Sequence, residues 1–527
     1  MKKFLALTGF LGLFVVSCSD DDPIVDDEMM NEEPVVFTSG TADFSNYVSL
    51  GNSLTAGFSD AALFVDGQTA SFPNMLASNF ALAGGGEFNI PFMADNLGGA
   101  TLGGQQILGN RLILSFASGS PAPVPVQGQG TTEISNVLSG SFNNMGVPGA
   151  KSFHLLAPGY GNVAGVAAGL ANPYFARFAS SPNTTILADA AAQNPSFFTL
   201  WIGNNDILGY ATAGGDGVNQ LGNLDPSTYG GSDISDPNVV AGSIQAILQT
   251  LTANGAKGVI ANIPDVSTIP FLTTVPFNPL DPTNPDFGPQ IATLNAQFAG
   301  LNQVFDALQV PERRIEFATD AASAVIIKDE SLADLSVQIT QTLQAVGTDA
   351  GTAAVLGFLY GQARQATADD LLVLTSQTAI AQLNTDAFAT LQQLGLPAEQ
   401  AGQLAVNGIT FPLEDRWVLT PAEQAEVNAT VLAYNEAIAG LASQFDIAIV
   451  DANSLLIELG VSGFTLADGS VVNADFGTGG GFSLDGVHPS PRGYAILANA
   501  FVEAINAKYG SNLPGVNPLE FTGLYLQ

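Results

Sequence analysis

The sequence predicts a mixed α/β fold of three layers, α/β/α, built around a mostly parallel sheet. Three observations lead there. Four short apolar runs each end in or just before Gly, Asn, Asp or Pro, as strands buried on both faces do. Capped amphipathic helical stretches alternate with those runs, which is the rhythm of strand–helix–strand units. The 527 residues are 46% hydrophobic and only 12% charged, material for a large core and too apolar for disorder over most of the length.

The strands are expected at Asn46–Leu50, ending at Gly51, then at Phe197–Gly203, Gly258–Ile263 and Phe445–Val450. Between them, Asp236-Pro237 can cap and start a helix that carries Val240, Ile244, Ile247, Leu248 and Leu251 and stops at Gly255. Thr420-Pro421-Ala422-Glu423 is a capping box, opening a helix with Val427, Val431, Tyr434 and Ile438 on one face. A last helix is expected from about Pro491 to Lys508, through Tyr494, Leu497, Ala498, Phe501 and Ile505. Two stretches break this rhythm and read as insertions. Residues 58–140 are rich in Gly, Ser and Pro, and residues 270–415 start Pro-rich and continue as Ala/Gln/Leu-rich, largely helical sequence. A separate helical module is the alternative for the second.

At the N-terminus, Lys2 and Lys3 precede an apolar run, Phe4–Val16. A spanning helix needs about 20 apolar residues, so the run fits the core of a secretory signal instead. It ends in Val15-Val16-Ser17-Cys18, which resembles the lipobox of bacterial lipoproteins. That resemblance implies a signal peptide over 1–17 and lipidation of Cys18, hence an exported, outer-membrane lipoprotein. Cys18 is the only cysteine, so disulfides, Cys-based zinc sites and thiol nucleophiles are excluded from the folded body. Residues 18–43 read as an acidic flexible tether. The run Ser19-Asp20-Asp21-Asp22 resembles the surface-export signal of some Bacteroidetes lipoproteins. The globular body is placed at 44–511, and 512–527 is a C-terminal tail. The net charge of −35 repels phosphates, and no basic cluster offsets it, so nucleic acid is excluded as a partner.

In open parallel sheets, ligands bind beyond the carboxyl ends of the strands. Four polar clusters lie there or just after such ends: Gly51-Asn52-Ser53-Leu54, Asn144-Met145-Gly146-Val147-Pro148-Gly149, Gly203-Asn204-Asn205-Asp206, and Asp485-Gly486-Val487-His488-Pro489. A small residue before Ser53 permits a turn that exposes the hydroxyl. A carboxylate three positions before His488 can curl back and orient the imidazole. Taken in this order, the four stretches resemble the conserved blocks of the SGNH (GDSL) hydrolase family.

The resemblance implies an SGNH-hydrolase, flavodoxin-like fold and a serine ester hydrolase, either a lipase or an esterase. Ser53 would be the nucleophile, with Asp485 and His488 completing the triad. The Ser53 and Gly146 N–H groups and the Asn205 side-chain amide would form the oxyanion hole. The substrate would be an ester of a lipid or an acylated glycan, with no cofactor and no metal. One departure is that Asn52 stands where the family usually has Asp, which alters hydrogen bonding beside Ser53.

Only His154 and His488 exist in the chain. His154 lies in an apolar stretch and reads as a structural residue, whereas His488 has an acid at fixed spacing. No Gly-x-Ser-x-Gly elbow and no P-loop occur. The Asp281–Asp286 carboxylates lack the spacing of an EF-hand and read as a solvated loop. The competing class is a non-catalytic surface lipoprotein that binds a glycan or lipid on the same fold. The 270–415 insertion is a candidate lid over an acyl site.

Overall fold

The structure, a computed structural model, describes residues 35–117 and 119–526. The signal-peptide, Cys18 and most of the tether expectations therefore lie outside the described residues. Within them no helix is long and apolar enough to cross a membrane.

The centre is a five-stranded, all-parallel sheet. Its strands in chain order are β1 (Tyr47–Gly51), β2 (Asn144–Gly146), β3 (Phe197–Trp201), β4 (Lys257–Ala261) and β5 (Ala448–Val450). They lie side by side as β5-β4-β3-β1-β2. The chain thus winds outward in both directions from β1, and the order reverses between β1 and β3. Such a switch point opens a crevice at the carboxyl ends of those strands.

Alternating side chains put each strand into two cores. Val48, Leu50, Met145, Phe198, Leu200 and Ile260 face one side. They meet the apolar stripes of α4 (Pro237–Thr252) and α5 (Pro421–Gln444), the helices expected from Asp236 and from the Thr420/Glu423 capping box. Tyr47, Phe197, Trp201, Val259, Ala261 and Val450 face the other side. There they pack on α2 (Phe72–Ala81) and α7 (Pro491–Tyr509). Phe72 stacks on Phe501 at a 4.5 Å centroid separation, locking α2 against α7. Burial of each such aromatic stabilises the fold by about 1.5–3 kcal/mol. Three shorter-range elements complete the site's scaffold: α1 (Ser53–Ala56) after β1, α3 (Asn205–Thr212) after β3, and α6 (Ala452–Val461) after β5.

Three sequence boundaries need correction. The 58–140 segment is not an insertion throughout, because α2 is the crossover helix that covers the sheet between β1 and β2. Its Phe72, Met75, Leu76 and Phe80 recur at helical spacing. Only the remainder, with small sheets formed by Ala100–Leu102, Gln105–Leu108 and Thr132–Glu133 and by Leu112–Ser115 and Ala122–Pro125, lies outside the main sheet. The body begins before Phe44, since Thr41 N–H bonds the Tyr509 carbonyl at 2.8 Å and Ala42 is buried. Residues 512–526 of the expected C-terminal tail pack on the body: Leu513 is buried, and the Arg111 guanidinium lies between the Phe64 and Tyr525 rings, 4.9 and 4.7 Å from their centroids.

The 270–415 insertion carries a hydrophobic core of its own, built on Phe298, Phe305, Val325, Ile327, Leu359 and Tyr360. Arg364 is held inside it by Asp329 and Asp370, each at 2.7 Å. The insertion meets the Asp485–Pro489 loop at its first turn, where Phe271 N–H donates to the Gly486 carbonyl at 2.9 Å.

Candidate functional site

Gly51 ends β1, and a side chain there would collide with Thr55 Oγ1 at 2.1 Å and the Trp201 carbonyl at 2.4 Å. Only glycine lets the chain fold straight from strand into α1. Asn52 caps that helix: its side-chain oxygen accepts the Leu54 N–H at 3.0 Å, and its Nδ2 donates to Asn204 Oδ1 at 3.1 Å. Asn52 is fully buried, so an amide here joins the first and third motifs with both of its polar ends. An aspartate could supply only the acceptor. Ser53 follows as the first helical residue, so its N–H has no partner within the helix.

Ser53 Oγ lies 2.9 Å from His488 Nε2, and His488 Nδ1 lies 2.8 Å from Asp485 Oδ2. The structure brings these three predicted residues together. Asp485 Oδ1 also accepts the N–H groups of Val487 (2.9 Å) and His488 (2.8 Å) and the hydroxyl of Ser483 (3.0 Å), while Oδ2 takes the Ala61 N–H at 3.0 Å. Burial pushes the Asp485 carboxyl up, but the adjacent imidazole and these donors outweigh it and hold it down at about 2. It is therefore an ionised acceptor near neutrality. Nδ1 must then be the donor, which leaves the Nε2 lone pair for the Ser53 proton. The Phe58 ring covers the imidazole at a 4.6 Å centroid distance.

Of the residues expected to bind an oxyanion, Asn205 and Gly146 differ in what their N–H groups already hold. Asn205 opens α3 and donates one Nδ2 proton to the Ala150 carbonyl at 2.9 Å; the amide nitrogen carries a second proton. Asp206, buried and pushed up by that burial, accepts the Ser152 N–H (2.7 Å) and hydroxyl (2.9 Å). These bonds tie the loop after β2 to the start of α3.

Gly146 is a correction. It is buried, and its N–H is already donated to Asn144 Oδ1 at 2.9 Å. Its missing side chain instead makes room for α1, since a Cβ would sit 2.3 Å from the Ala56 nitrogen. Gly149 is the exposed glycine of that loop, at φ +79°, and its N–H has no hydrogen-bond acceptor among the described residues. It stands one residue from Ala150, the carbonyl that holds Asn205.

Sequence reasoning also missed the support behind Asp485. Asp60 and Ala61 sit in the left-handed region, at φ 51° and 63°. Asp60 is buried; its N–H donates to Ser483 Oγ at 2.9 Å, and its carboxylate accepts the Leu484 N–H at 2.9 Å. Burial pushes its carboxyl up to about 6, with the nearby Asp485 charge adding to the rise. Contacts spanning 423 and 424 residues leave no local pattern to read.

His154 takes the Lys151 N–H on Nδ1 at 3.0 Å and stacks on Tyr160 at a 4.4 Å centroid distance. Burial, then the Lys151 charge, pushes it down to about 4, so it is neutral near pH 7. Elsewhere, Glu330, Asp415 and Glu423 bring carboxylate oxygens within 4.8 Å of one another at the junction of the insertion with α5. Burial, then the Glu423 and Glu330 charges, pushes Asp415 up, so that cluster holds a proton. None of its members belongs to the Ser53 site. Comparison with protein-family models, with curated proteins and with solved structures returned no significant match.

Proposed function

We propose that this chain is a serine ester hydrolase of the SGNH kind, acting through an acyl-enzyme on Ser53. The observation that carries the reading is the continuous Ser53–His488–Asp485 chain of hydrogen bonds, 2.9 and 2.8 Å long, at the carboxyl end of β1. A serine hydroxyl is a weak nucleophile until a base takes its proton. His488 Nε2 takes it as Oγ attacks the ester carbonyl, and Asp485 stabilises the imidazolium that forms. The oxyanion is received by the Ser53 N–H and the Asn205 amide, with the Gly149 N–H in place of Gly146 as the third donor. The intermediate collapses as His488 protonates the leaving alcohol. Water, deprotonated by the same imidazole, then releases the carboxylic acid and restores Ser53.

The lipobox-like Val15–Cys18 stretch supports export and lipid anchoring at Cys18; esters of lipids or acylated glycans are the substrate class that the family resemblance implies. The test is hydrolysis of p-nitrophenyl esters. The wild type should turn them over and Ser53→Ala should not; equal rates for the two would overturn the reading.

A further inference from the structure

Gly149 lies in a tight turn that has two available faces. The Ala150 N–H donates to the Val147 carbonyl at 3.1 Å, closing a β-turn with Pro148 and Gly149 at its centre. Proline fixes a negative φ, and Gly149 stands at φ +79°, so the turn is type II. In a trans peptide the C=O and N–H point in opposite directions. The central peptide therefore sends the Pro148 carbonyl to one side and the Gly149 N–H to the other. A type I turn, which Pro-Gly also permits, reverses both.

Asn172 holds one of these faces. Its Nδ2 donates to the Pro148 carbonyl at 2.8 Å, and no other donor among the described residues reaches that oxygen. The amide is itself fixed. Its second proton goes to the Tyr160 hydroxyl at 3.1 Å, and its Oδ1 accepts the Tyr174 (2.9 Å) and Phe175 (3.2 Å) N–H groups, capping the short helix Pro173–Ala176. Little else packs on the tip of the turn: a Cβ at Gly149 would meet only Asn172 Nδ2, at 3.8 Å, among the described residues beyond its chain neighbours. We propose that Asn172 is a positioning residue, which keeps the Gly149 N–H turned toward the oxyanion by holding the carbonyl of the same peptide. The proposal rests on the ester-hydrolase reading with Gly149 as third donor. Two amides thus clasp the turn, Asn205 at the Ala150 carbonyl and Asn172 at the Pro148 carbonyl. Asn205 aims its own second proton, whereas Asn172 aims that of Gly149.

The experiment separates the cap from the donor. Asn172→Asp keeps an acceptor for the helix N–H groups but cannot donate to Pro148, and its carboxylate favours the reversed turn. Asn172→Ser is an uncharged cap whose hydroxyl stops one bond short of the Asn172 nitrogen. Both residues are good N-caps, so both variants should melt close to the wild type. On p-nitrophenyl acetate their kcat should fall at least tenfold, up to the roughly 10²–10³ of a lost oxyanion donor, with KM little changed. Binding of phenylboronic acid, whose tetrahedral adduct on Ser53 mimics the oxyanion, should weaken by the same factor. Should one variant fail to fold, the other decides. A folded variant with less than a tenfold loss of kcat, or a loss carried by KM with boronic acid binding unmoved, would overturn the positioning role and leave the hydrolase reading intact. No turnover by the wild type, with no labelling of its Ser53 by a fluorophosphonate, would overturn both.

Discussion

Asp60 and Asp485 stand back to back. Asp60 anchors Ser483 and Leu484 at 2.9 Å each, and its neighbour Ala61 gives an N–H to Asp485 at 3.0 Å. One carboxyl is pushed up to about 6 and the other held down at about 2. The same small volume thus keeps one acid ready to protonate and one firmly ionised. Asp60 positions the loop, and Asp485 faces the imidazole.

Asp60 therefore carries a pH signature. Its folded pKa is raised above the ordinary 3.8, to about 6. Its contribution to stability is full below about pH 4 and is lost as pH rises through 6. Asn at this position keeps the acceptor for Leu484 and cannot titrate. The Tm advantage of Asp60→Asn over the wild type should grow between pH 4 and 7, by the equivalent of roughly 2–3 kcal/mol. A difference that stays constant over that range would show that Asp60 does not titrate as described.

Asn205 and Gly146 separate by readout. Asn205→Ala should lower kcat by about 10²–10³ with KM little changed. Gly146→Ala should instead lower Tm, since its Cβ meets backbone at 2.3 Å; overpacking of this kind costs about 1–3 kcal/mol or more. Thermal melts and steady-state kinetics on both variants decide. A Gly146→Ala protein with wild-type Tm and a 10²-fold lower kcat would return Gly146 to the oxyanion hole.

Asn52 predicts an asymmetry between two substitutions. Asn52→Ala loses the cap, worth about 1 kcal/mol, and leaves the buried Asn204 carbonyl oxygen unbonded, a further cost of about 1–3 kcal/mol. Asn52→Asp keeps the acceptor for the Leu54 N–H, and the Asn204 amide can turn to present its own donor. Chemical denaturation should rank wild type above or near the Asp variant and both well above the Ala variant.

Much of the scaffold was legible because its signals are local. The four apolar runs became strands to within a few residues, and the Asp236-Pro237 and Thr420/Glu423 caps start α4 and α5. The Ser53–His488–Asp485 hydrogen-bonded arrangement was legible because Asp485 and His488 share one loop and Ser53 follows a strand. What escaped has physical reasons. β2 is three residues long inside a glycine-bearing motif, too short to show alternation. The stripe of α2 was masked by its Gly- and Ser-rich surroundings. The choice between Gly146 and Gly149 depends on which N–H is already bonded and which φ is positive, and neither is written in residue identity. Asp60 and Ser483 meet only after the sheet has brought the chain's two ends together.

The central claim is that Ser53 is a nucleophile activated by His488. Intact-mass and peptide analysis after treatment with a fluorophosphonate tests it most directly. A single adduct on the peptide containing Ser53, absent from Ser53→Ala and formed at least a hundredfold more slowly in His488→Ala, is the predicted result. No adduct on the folded wild-type protein, or one formed at the same rate without His488, would contradict it.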